Sequence, residues 1–341
     1  SRNGSYRKQI QTEMGKSVIQ VPRDREGEFE PIVVPKHQSR GLSIERLVIS
    51  LYAKGMSVAD IESEMQEIYG INLSTSAISI ITNKVSQAAT EWQNRPLDSL
   101  YMIVWMDGIV FKVRENGKVI NKTVYLCVGL NKEGLKEVLG MWIGKNESAA
   151  FWMGVLTDLK ARGVEDILIT VTDNLNGFTE TIKSVFPAST TQICVVHQIR
   201  NSCRYVVWKE KKEFTADLKN IYNAPTKEAA KMELENFEQK WGTKYPYAIR
   251  SWRNNWEELT VFFDFPVEIR KIIYTTNLIE NLNGKIRKYT KNKLSFPNDD
   301  ALKKSVYLAI TEIEKKWYQP IWNWALIFNQ FITIFENRIQ V

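Results

Sequence analysis

The sequence predicts an α/β protein whose centre is a mixed five-stranded sheet with helices on both faces. Three segments typical of antiparallel strands follow one another after residue 96, and two further strands then alternate with helices. That order favours a sheet that is antiparallel on one side and parallel on the other. A length of 341 residues and a hydrophobic content of 44% allow two or three domains with cores of their own.

Composition excludes several protein classes. With 25% charged residues, the chain is neither wholly disordered nor a collagen-like fibre. No apolar run reaches the roughly 20 residues of a membrane helix, so we expect no membrane association. The three cysteines suggest no disulfide framework, which favours a reducing, cytoplasmic compartment. Because the chain starts with Ser and shows no charged and apolar leader, we expect no secretion signal and a truncated start.

Residues 1–40 are expected to form an extended basic arm. Lysine and arginine are mixed here with two β-like runs, Ser17 to Val21 and Pro31 to Val34, around the turn-prone segment Asp24 to Gly27. The net charge of +7 makes an anionic partner plausible, but it does not identify one.

Residues 41–95 have helical periodicity in three pieces, Ser43 to Lys54, Val58 to Tyr69 and Ser74 to Trp92. Glycine-containing breaks separate them, and Ser57 and Ser74 are suitable N-caps. Two helices joined by a short turn, followed by a helix that starts with small polar residues, are typical of a helix-turn-helix. A three-helix bundle with no role in DNA binding is the alternative.

The third helix has an apolar face and a polar face. Ile78, Ile81 and Val85 share the apolar face, which leaves the polar residues to meet a DNA groove. Those candidate DNA-binding residues are Thr75, Ser76, Ser79, Thr82, Asn83 and Lys84.

The sheet follows the Pro96 linker, and its first hairpin turn is predicted at Asn116-Gly117. The predicted strands are Tyr101 to Val113, Val119 to Leu130, Glu137 to Gly144, Ile167 to Thr172 and Gln192 to Val196. The predicted helices between them are Ser148 to Arg162 and Gly177 to Val185. Beyond Gln198 the chain is helical, with breaks near Pro225 and Pro246, a helix from about Thr276, and two final helices, Asp299 to Trp317 and Pro320 to Arg338.

Three carboxylates stand out in this framework. Asp107 lies in a strand whose two faces are both apolar, where an uncompensated carboxylate costs several kcal/mol; the alternative is that Asp107-Gly108 is a turn. Asp173 follows a strand at the end where such sheets place ligands, although it also fits a helix cap. Glu280 opens a later helix, where Asn277 and Glu280 alternatively form a capping box.

Together the three carboxylates suggest a metal site. Two aspartates on neighbouring strands and a glutamate on a helix supply hard oxygen ligands for two Mg²⁺ ions, the arrangement used for displacement at phosphorus. The basic residues Lys285, Arg287 and Lys288 follow Glu280 and are either DNA contacts or a solvated surface. Cys194 and His197 form a lone C-x-x-H, which is either structural or close to the reacting phosphate.

These residues match a known family. The chain resembles the Mutator-like transposases of bacterial insertion sequences over nearly its whole length. The matching segments include Val21 to Arg25, Phe29 to Pro31, Tyr52 to Ser57 and Phe335 to Arg338. The resemblance implies a ribonuclease H-like catalytic fold in two parts, residues 96–200 and 266–341, an all-α insertion at 201–265, and a helix-turn-helix domain at 41–95.

The resemblance also implies roles for single residues. Asp107, Asp173 and Glu280 look like the catalytic Asp-Asp-Glu triad, and Cys194 and His197 match the family's C-x-x-H motif, which places His197 near the reaction. The implied partners are transposon terminal inverted repeats, target DNA and a second copy of the chain as a homodimer. The implied cofactor is a pair of Mg²⁺ or Mn²⁺ ions. The implied location is the cytoplasm, in association with the nucleoid.

The function expected from this resemblance is DNA transposition, in which a transposon end is cleaved to a 3′-hydroxyl and joined to target DNA. Two alternatives remain. The first is an inactive helix-turn-helix regulator that keeps the fold, and the second is a structure-selective nuclease of the same fold, which cuts DNA without joining it. The tryptophans of the insertion either pack its core or stack on an unpaired base.

Overall fold

The five-stranded sheet expected in the middle of the chain is present in the computed structural model, which describes residues 5–12, 15–22, 42–145, 148–174, 177–274 and 277–339. Its strands are β3 (Leu100–Glu115), β4 (Lys118–Leu130), β5 (Lys136–Gly144), β6 (Asp166–Thr172) and β7 (Thr190–Ile193). Their spatial order is β5-β4-β3-β6-β7. Because β4 and β5 pair antiparallel whereas β3, β6 and β7 pair parallel, the sheet is mixed, as predicted.

The turn between β3 and β4 is the Asn116-Gly117 turn predicted from the sequence. Both residues have positive φ angles, 50° and 76°, which is the requirement of a type I′ hairpin turn. Glycine accepts this conformation without steric cost and asparagine tolerates it, so the local sequence sets the register of the hairpin.

Helices α4 (Ala149–Ala161) and α5 (Phe178–Val185) cover one face of the sheet. Trp152 and Phe178 stack with ring centroids 4.6 Å apart, and both pack in the same core as Val104 and Met106 of β3. Since successive strand residues point to opposite faces, Asp107 points away from this core. The alternative that Asp107-Gly108 is a turn is wrong, because both residues lie inside β3.

The last strand is shorter than predicted. The sequence suggests a strand from Gln192 to Val196, but β7 ends at Ile193 and helix α6 (Val195–Ser202) begins directly after Cys194. The Cys194 sulfur accepts a hydrogen bond from the His197 backbone N–H at 3.4 Å, so cysteine serves as the N-cap. Cysteine is not among the usual capping residues, which explains why the sequence pattern missed this helix start.

The following segment is helical, as expected, and its helices are α7 (Trp208–Tyr222), α8 (Lys227–Trp241), α9 (Pro246–Asn254), α10 (Trp256–Leu259) and α11 (Val267–Tyr274). The predicted breaks near Pro225 and Pro246 fall at the end of α7 and the start of α9. The chain ends with α12 (Asn277–Thr290), α13 (Asp299–Glu314) and α14 (Trp324–Phe335). Among the described residues, none of the helices is both long enough and apolar enough to cross a membrane.

The N-terminal part contains a β-hairpin and three helices. Strands β1 (Ser5–Thr12) and β2 (Gly15–Pro22) pair antiparallel, so the predicted run from Ser17 to Val21 is a strand. The run from Pro31 to Val34 and the turn from Asp24 to Gly27 lie outside the described residues. The three helices are α1 (Leu42–Ala53), α2 (Val58–Glu67) and α3 (Thr75–Gln93), close to the predicted segments.

The predicted N-caps of α2 and α3 are present. The Ser57 hydroxyl accepts from the Asp60 backbone N–H at 3.1 Å, and the Ser74 hydroxyl accepts from the Ala77 N–H at 3.2 Å. Gly55, between α1 and α2, has a φ of +96°, and a Cβ there would lie 2.5 Å from the Tyr289 carbonyl oxygen. That close approach explains why this break in the sequence contains glycine.

Contacts group the chain into two compact units that do not follow chain order. The first comprises Ser1–Trp92, Lys112–Val119 and Lys285–Thr311, and the second comprises Gln93–Phe111, Ile120–Gly284 and Glu312–Val341. In the first unit, Ile44, Ile61 and Ile78 of the three helices pack in one core with Leu308 of α13. The second unit contains most of the sheet and the three candidate carboxylates.

Candidate active site

Asp107 and Asp173 lie side by side on two adjacent parallel strands. The register pairs Trp105 of β3 with Val171 of β6, and each aspartate follows its paired residue by two positions. Residues two apart point to the same face of a sheet, so both carboxylates lie on one face at the carboxyl end of β6. Helix α5 starts at Phe178 and its N-cap is Gly177, so Asp173 does not cap that helix.

The Asp107 carboxylate is buried, with 8% of the residue exposed. The Gly108 backbone N–H donates to its Oδ1 at 2.8 Å, and the Asn283 amide donates to its Oδ2 at 2.5 Å. Burial, followed by the negative charge of Asp173, raises the pKa of Asp107 to about 6, although His197 and these two donors act in the opposite direction. The Asp107 carboxyl is therefore harder to ionise than an exposed carboxyl.

Asp173 is paired with a histidine. The His197 Nδ1 atom lies 2.5 Å from Asp173 Oδ1. Burial works against the imidazolium, but the interactions with Asp173 and Cys194 outweigh it and raise the pKa of His197 to about 11. We therefore expect His197 to carry a positive charge at neutral pH and to neutralise the second aspartate.

Asp173, Cys194 and His197 form a group that can hold a metal ion. Each residue offers one ligand atom, and these atoms lie within 4.8 Å of one another, the one such group of His, Cys, Asp or Glu among the described residues. An ion bound by all three would require His197 to lose its proton, because a metal ligand must be unprotonated. The ion pair with Asp173 opposes that loss.

Glu280 is not gathered with the two aspartates. Its Oε1 atom accepts a hydrogen bond from Arg200 of α6 at 2.6 Å. Asn283, one helical turn later, reaches Asp107, so α12 presents the face that carries Glu280 and Asn283 toward β3. The predicted triad is thus a pair of adjacent aspartates with the glutamate close by in the fold but bound to an arginine; the Asn277 side chain of the alternative capping box lies outside the described residues.

The candidate DNA-binding residues of α3 differ in their exposure. Thr75, Ser76, Asn83 and Lys84 are exposed and Ser79 is half-buried. The prediction that Thr82 is free to meet a groove is wrong, because Thr82 is 1% exposed and its hydroxyl donates to the Ser79 carbonyl at 3.1 Å.

Two of the exposed residues already have partners within the first unit. Lys84 binds Glu45 at 2.9 Å, and the Asn83 side-chain oxygen accepts from Lys304 at 3.3 Å. The basic residues that follow Glu280, namely Lys285, Arg287 and Lys288, are all exposed. Polar and basic side chains are therefore available on both α3 and the second half of α12.

Comparison with known proteins identifies the family. The family model described as "Transposase, Mutator family" matches residues 1–320. The chain belongs to the Mutator family of transposases. It is 43% identical over 338 residues to a probable transposase of an ISRM3-like insertion sequence element from Sinorhizobium fredii, covering 99% of this chain and 84% of that relative.

More distant relatives extend the same similarity. The transposase of IS256 in transposon Tn4001 from Staphylococcus aureus is 27% identical over 323 residues, which is 93% of this chain and 82% of the relative. Among solved structures, the Mos1 transposase paired-end complex matches with a TM-score of 0.17 and 11% identity, covering 75% of this chain and 84% of that chain. A score this low carries no argument about the fold.

The sequence pattern did not predict two residues that contact the candidate carboxylates. Asn283 is 5% exposed and supplies a donor to Asp107, while its own side-chain oxygen is buried without a partner among the described residues. Arg200 binds Glu280 across 80 positions of sequence. The position of Asn283, three residues after Glu280 on the same helix face, was the one signal in the sequence that pointed to it.

Replacing Asp107 tests the free-energy cost of its buried negative charge. The folded protein holds the Asp107 proton more tightly than the unfolded chain, whose carboxyl has the ordinary pKa of 3.8, so stability falls as the pH rises from about 4 to about 6. In EDTA at pH 7.5, Asp107→Asn should therefore raise the free energy of unfolding by about 1–3 kcal/mol. Thermal unfolding measures this gain, which should shrink toward pH 4; a variant less stable than wild type at pH 7.5 would contradict it.

A second test measures the charge of His197. The chain has two histidines, so in a His37→Ala variant the imidazole nitrogen NMR signals come from His197 alone. Because the pKa of His197 is raised to about 11, both ring nitrogens should carry protons at pH 8 in metal-free protein. Adding Asp173→Asn should move the titration back toward the ordinary value of 6.5. A neutral ring at pH 8 in the variant that retains Asp173 would show that the ion pair does not hold the proton.

Proposed function

We propose that this chain is a DNA transposase that cleaves a phosphodiester at a transposon end to a 3′-hydroxyl and joins that end to target DNA. The proposal rests on the pair Asp107, inside β3, and Asp173, directly after the neighbouring parallel strand β6. The names of the relatives, which are transposases of insertion sequence elements, support the same reaction.

The proposal includes a ribonuclease H-like catalytic fold. The sheet order β5-β4-β3-β6-β7 supports it, in which β4 pairs antiparallel with β5 and β6 pairs parallel with both β3 and β7. The first candidate carboxylate lies on the central strand β3, the second follows β6, and the third lies on the late helix α12. This distribution supports a site assembled from three distant parts of the chain.

We assign two divalent cations, Mg²⁺ or Mn²⁺, to the carboxylates of Asp107, Asp173 and Glu280. The fit rests on the hard oxygen donors and on the burial that, together with the charge of Asp173, raises the pKa of Asp107 to about 6, because a bound cation would stabilise the ionised form. When bound, the ions would activate the attacking oxygen and stabilise the leaving oxygen at phosphorus.

The chain's own residues have separate tasks in this proposal. Gly108 and Asn283 orient Asp107 through its two oxygens, and His197 orients Asp173 through Nδ1. Arg200 is 61% exposed at its side chain, so it is free to leave Glu280 and bind a DNA phosphate when the carboxylate turns toward the aspartates. His197 holds a proton within the site, which favours a role beside the reacting phosphate.

DNA binding is assigned to the first unit. Helix α3 would contact the inverted repeats as the recognition helix of a helix-turn-helix, through the exposed residues Thr75, Ser76, Asn83 and Lys84 and the half-buried Ser79. On α12, the phosphate contacts would come from Lys285, Arg287 and Lys288. Phosphate contacts should dominate the affinity and make it strongly dependent on salt. The proposal further includes a homodimer on paired transposon ends, in the cytoplasm and on the nucleoid.

A strand-transfer assay tests the reaction. A labelled inverted-repeat oligonucleotide, target DNA and Mg²⁺ are incubated with wild type and with Asp107→Asn, Asp173→Asn or Glu280→Gln. Each variant should lose joining by about 100-fold or more, because each removes a proposed ionic ligand. The matched control is Glu257→Gln, which removes an exposed carboxylate that binds Lys227 and should join DNA like wild type.

The outcomes separate the proposed function from its alternatives. Joining by all three variants would show that the site assignment is wrong. Cleavage by wild type without joining would favour the nuclease, and end binding without either reaction under any divalent metal would favour the regulator.

A further inference from the structure

Trp208 is a tryptophan that the core of the helical segment does not use. It is the first residue of α7 and is 86% exposed, and the nearby Tyr205 is 64% exposed. By contrast, Trp241 and Trp252 in the same segment are buried. The packing role expected for the tryptophans of this segment therefore holds for those two residues and not for Trp208.

The surface around Trp208 is strongly basic. Between Ile199 and Lys212 the chain carries five basic residues and one acidic residue, Glu210, which is already bound to Lys244 and Tyr245. The Arg204 guanidinium lies 5.6 Å from the centroid of the Tyr205 ring. We call the surface formed by the following residues the aromatic-basic patch: Arg204, Tyr205, Trp208, Lys211 and Lys212.

Helix geometry gives the patch a shared face. Lys211 and Lys212 follow Trp208 by three and four positions in α7, so their side chains neighbour the indole. A polyanion with flat faces suits this surface, because cations attract its backbone and exposed rings stack on its bases. Stacking tolerates any base sequence, since every base has a π face.

The patch is connected to the candidate active site by α6. This helix carries His197 and Arg200, which contact Asp173 and Glu280, and it ends at Ser202, two residues before Arg204. His197 and Ser202 are five positions apart in this helix, which is about 7.5 Å at about 1.5 Å per residue. That length equals about two stacked nucleotides at about 3.4 Å per step.

We propose that the aromatic-basic patch binds an unpaired stretch of the DNA strand whose reacting phosphate lies at Asp107 and Asp173. Trp208 and Tyr205 stack on its bases a few nucleotides from that phosphate, and Arg204, Lys211 and Lys212 bind the backbone. This inference rests on the proposed function for the identity of the DNA, but the binding itself requires no catalysis.

Binding measurements on wild-type protein in EDTA test the patch without any reaction. The probes are two fluorescein-labelled transposon-end oligonucleotides, one fully paired and one with its last four base pairs unpaired. Trp208→Ala should weaken binding to the unpaired-end DNA about tenfold and binding to the paired DNA less than twofold, because stacking needs an accessible base. Trp208→Phe should retain most of the affinity.

The control is Trp322→Ala. Trp322 is 90% exposed in the same unit, but no lysine or arginine lies between Trp317 and Trp324. This variant should bind both DNAs like wild type.

Circular dichroism and thermal unfolding verify that each variant is folded before its affinity is read. An equal loss on both DNAs, or no loss on the unpaired DNA, would overturn the proposal. A Trp208→Ala variant that sediments as a smaller species while its DNA affinity is unchanged would instead assign the surface to a second copy of the chain.

Failure of the proposed function gives a different result. If wild type binds the unpaired end through Trp208 but never joins it to target DNA, the binding role of the patch is supported and the proposed reaction is contradicted. If wild type joins DNA and Trp208→Ala binds the unpaired end with unchanged affinity, the proposed reaction is supported and the binding role of the patch is contradicted.

Discussion

The burial of the Asp107 carboxylate is the constraint on which the rest of the site depends. An ionised carboxylate in an apolar strand costs several kcal/mol unless donors or cations compensate it. Two donors reach it, the backbone of Gly108 and the amide of Asn283, and they bring strand β3 and helix α12 together at one point. Asp173 adds a second negative charge beside it, which raises the pKa of Asp107 further.

Cationic side chains complete this arrangement. His197 neutralises Asp173 and Arg200 binds Glu280, and both cations come from the short helix α6. Helix α6 starts where it does because Cys194 caps it, so the C-x-x-H spacing places the imidazole one turn inside the helix. In the proposed function Arg200 holds Glu280 until metal and DNA replace it, whereas His197 keeps its contact with Asp173.

Much of the fold follows from local sequence signals. The apolar runs of β3 and β4, the Asn116-Gly117 turn and the serine caps all predict elements that the structure contains. Asp107 was recognisable because a carboxylate inside an apolar strand has a high energetic cost. These features depend on neighbouring residues, which is why the sequence alone predicts them.

The remaining features depend on contacts between distant segments. Asn283 meets Asp107 across 176 positions, and Arg200 meets Glu280 across 80. The burial of Thr82 is an exception, because Thr82 lies four residues after Ile78 and three before Val85, so the helical period itself places it on the apolar face. The sequence did not predict strand β1, because that segment is mostly polar and basic, and pairing with β2 supplies its stability. Tertiary structure therefore overrides the local pattern at the residues closest to the chemistry.

In the proposed function the adjacent carboxylates, and not the Cys194 and His197 pair, hold the catalytic cation. A crystal structure of the protein soaked in Mn²⁺, with anomalous scattering recorded at the manganese edge, locates that cation. We expect an anomalous peak between the carboxylates of Asp107 and Asp173. A peak bound by Cys194 and His197, or no peak near Asp107 at saturating Mn²⁺, would contradict it.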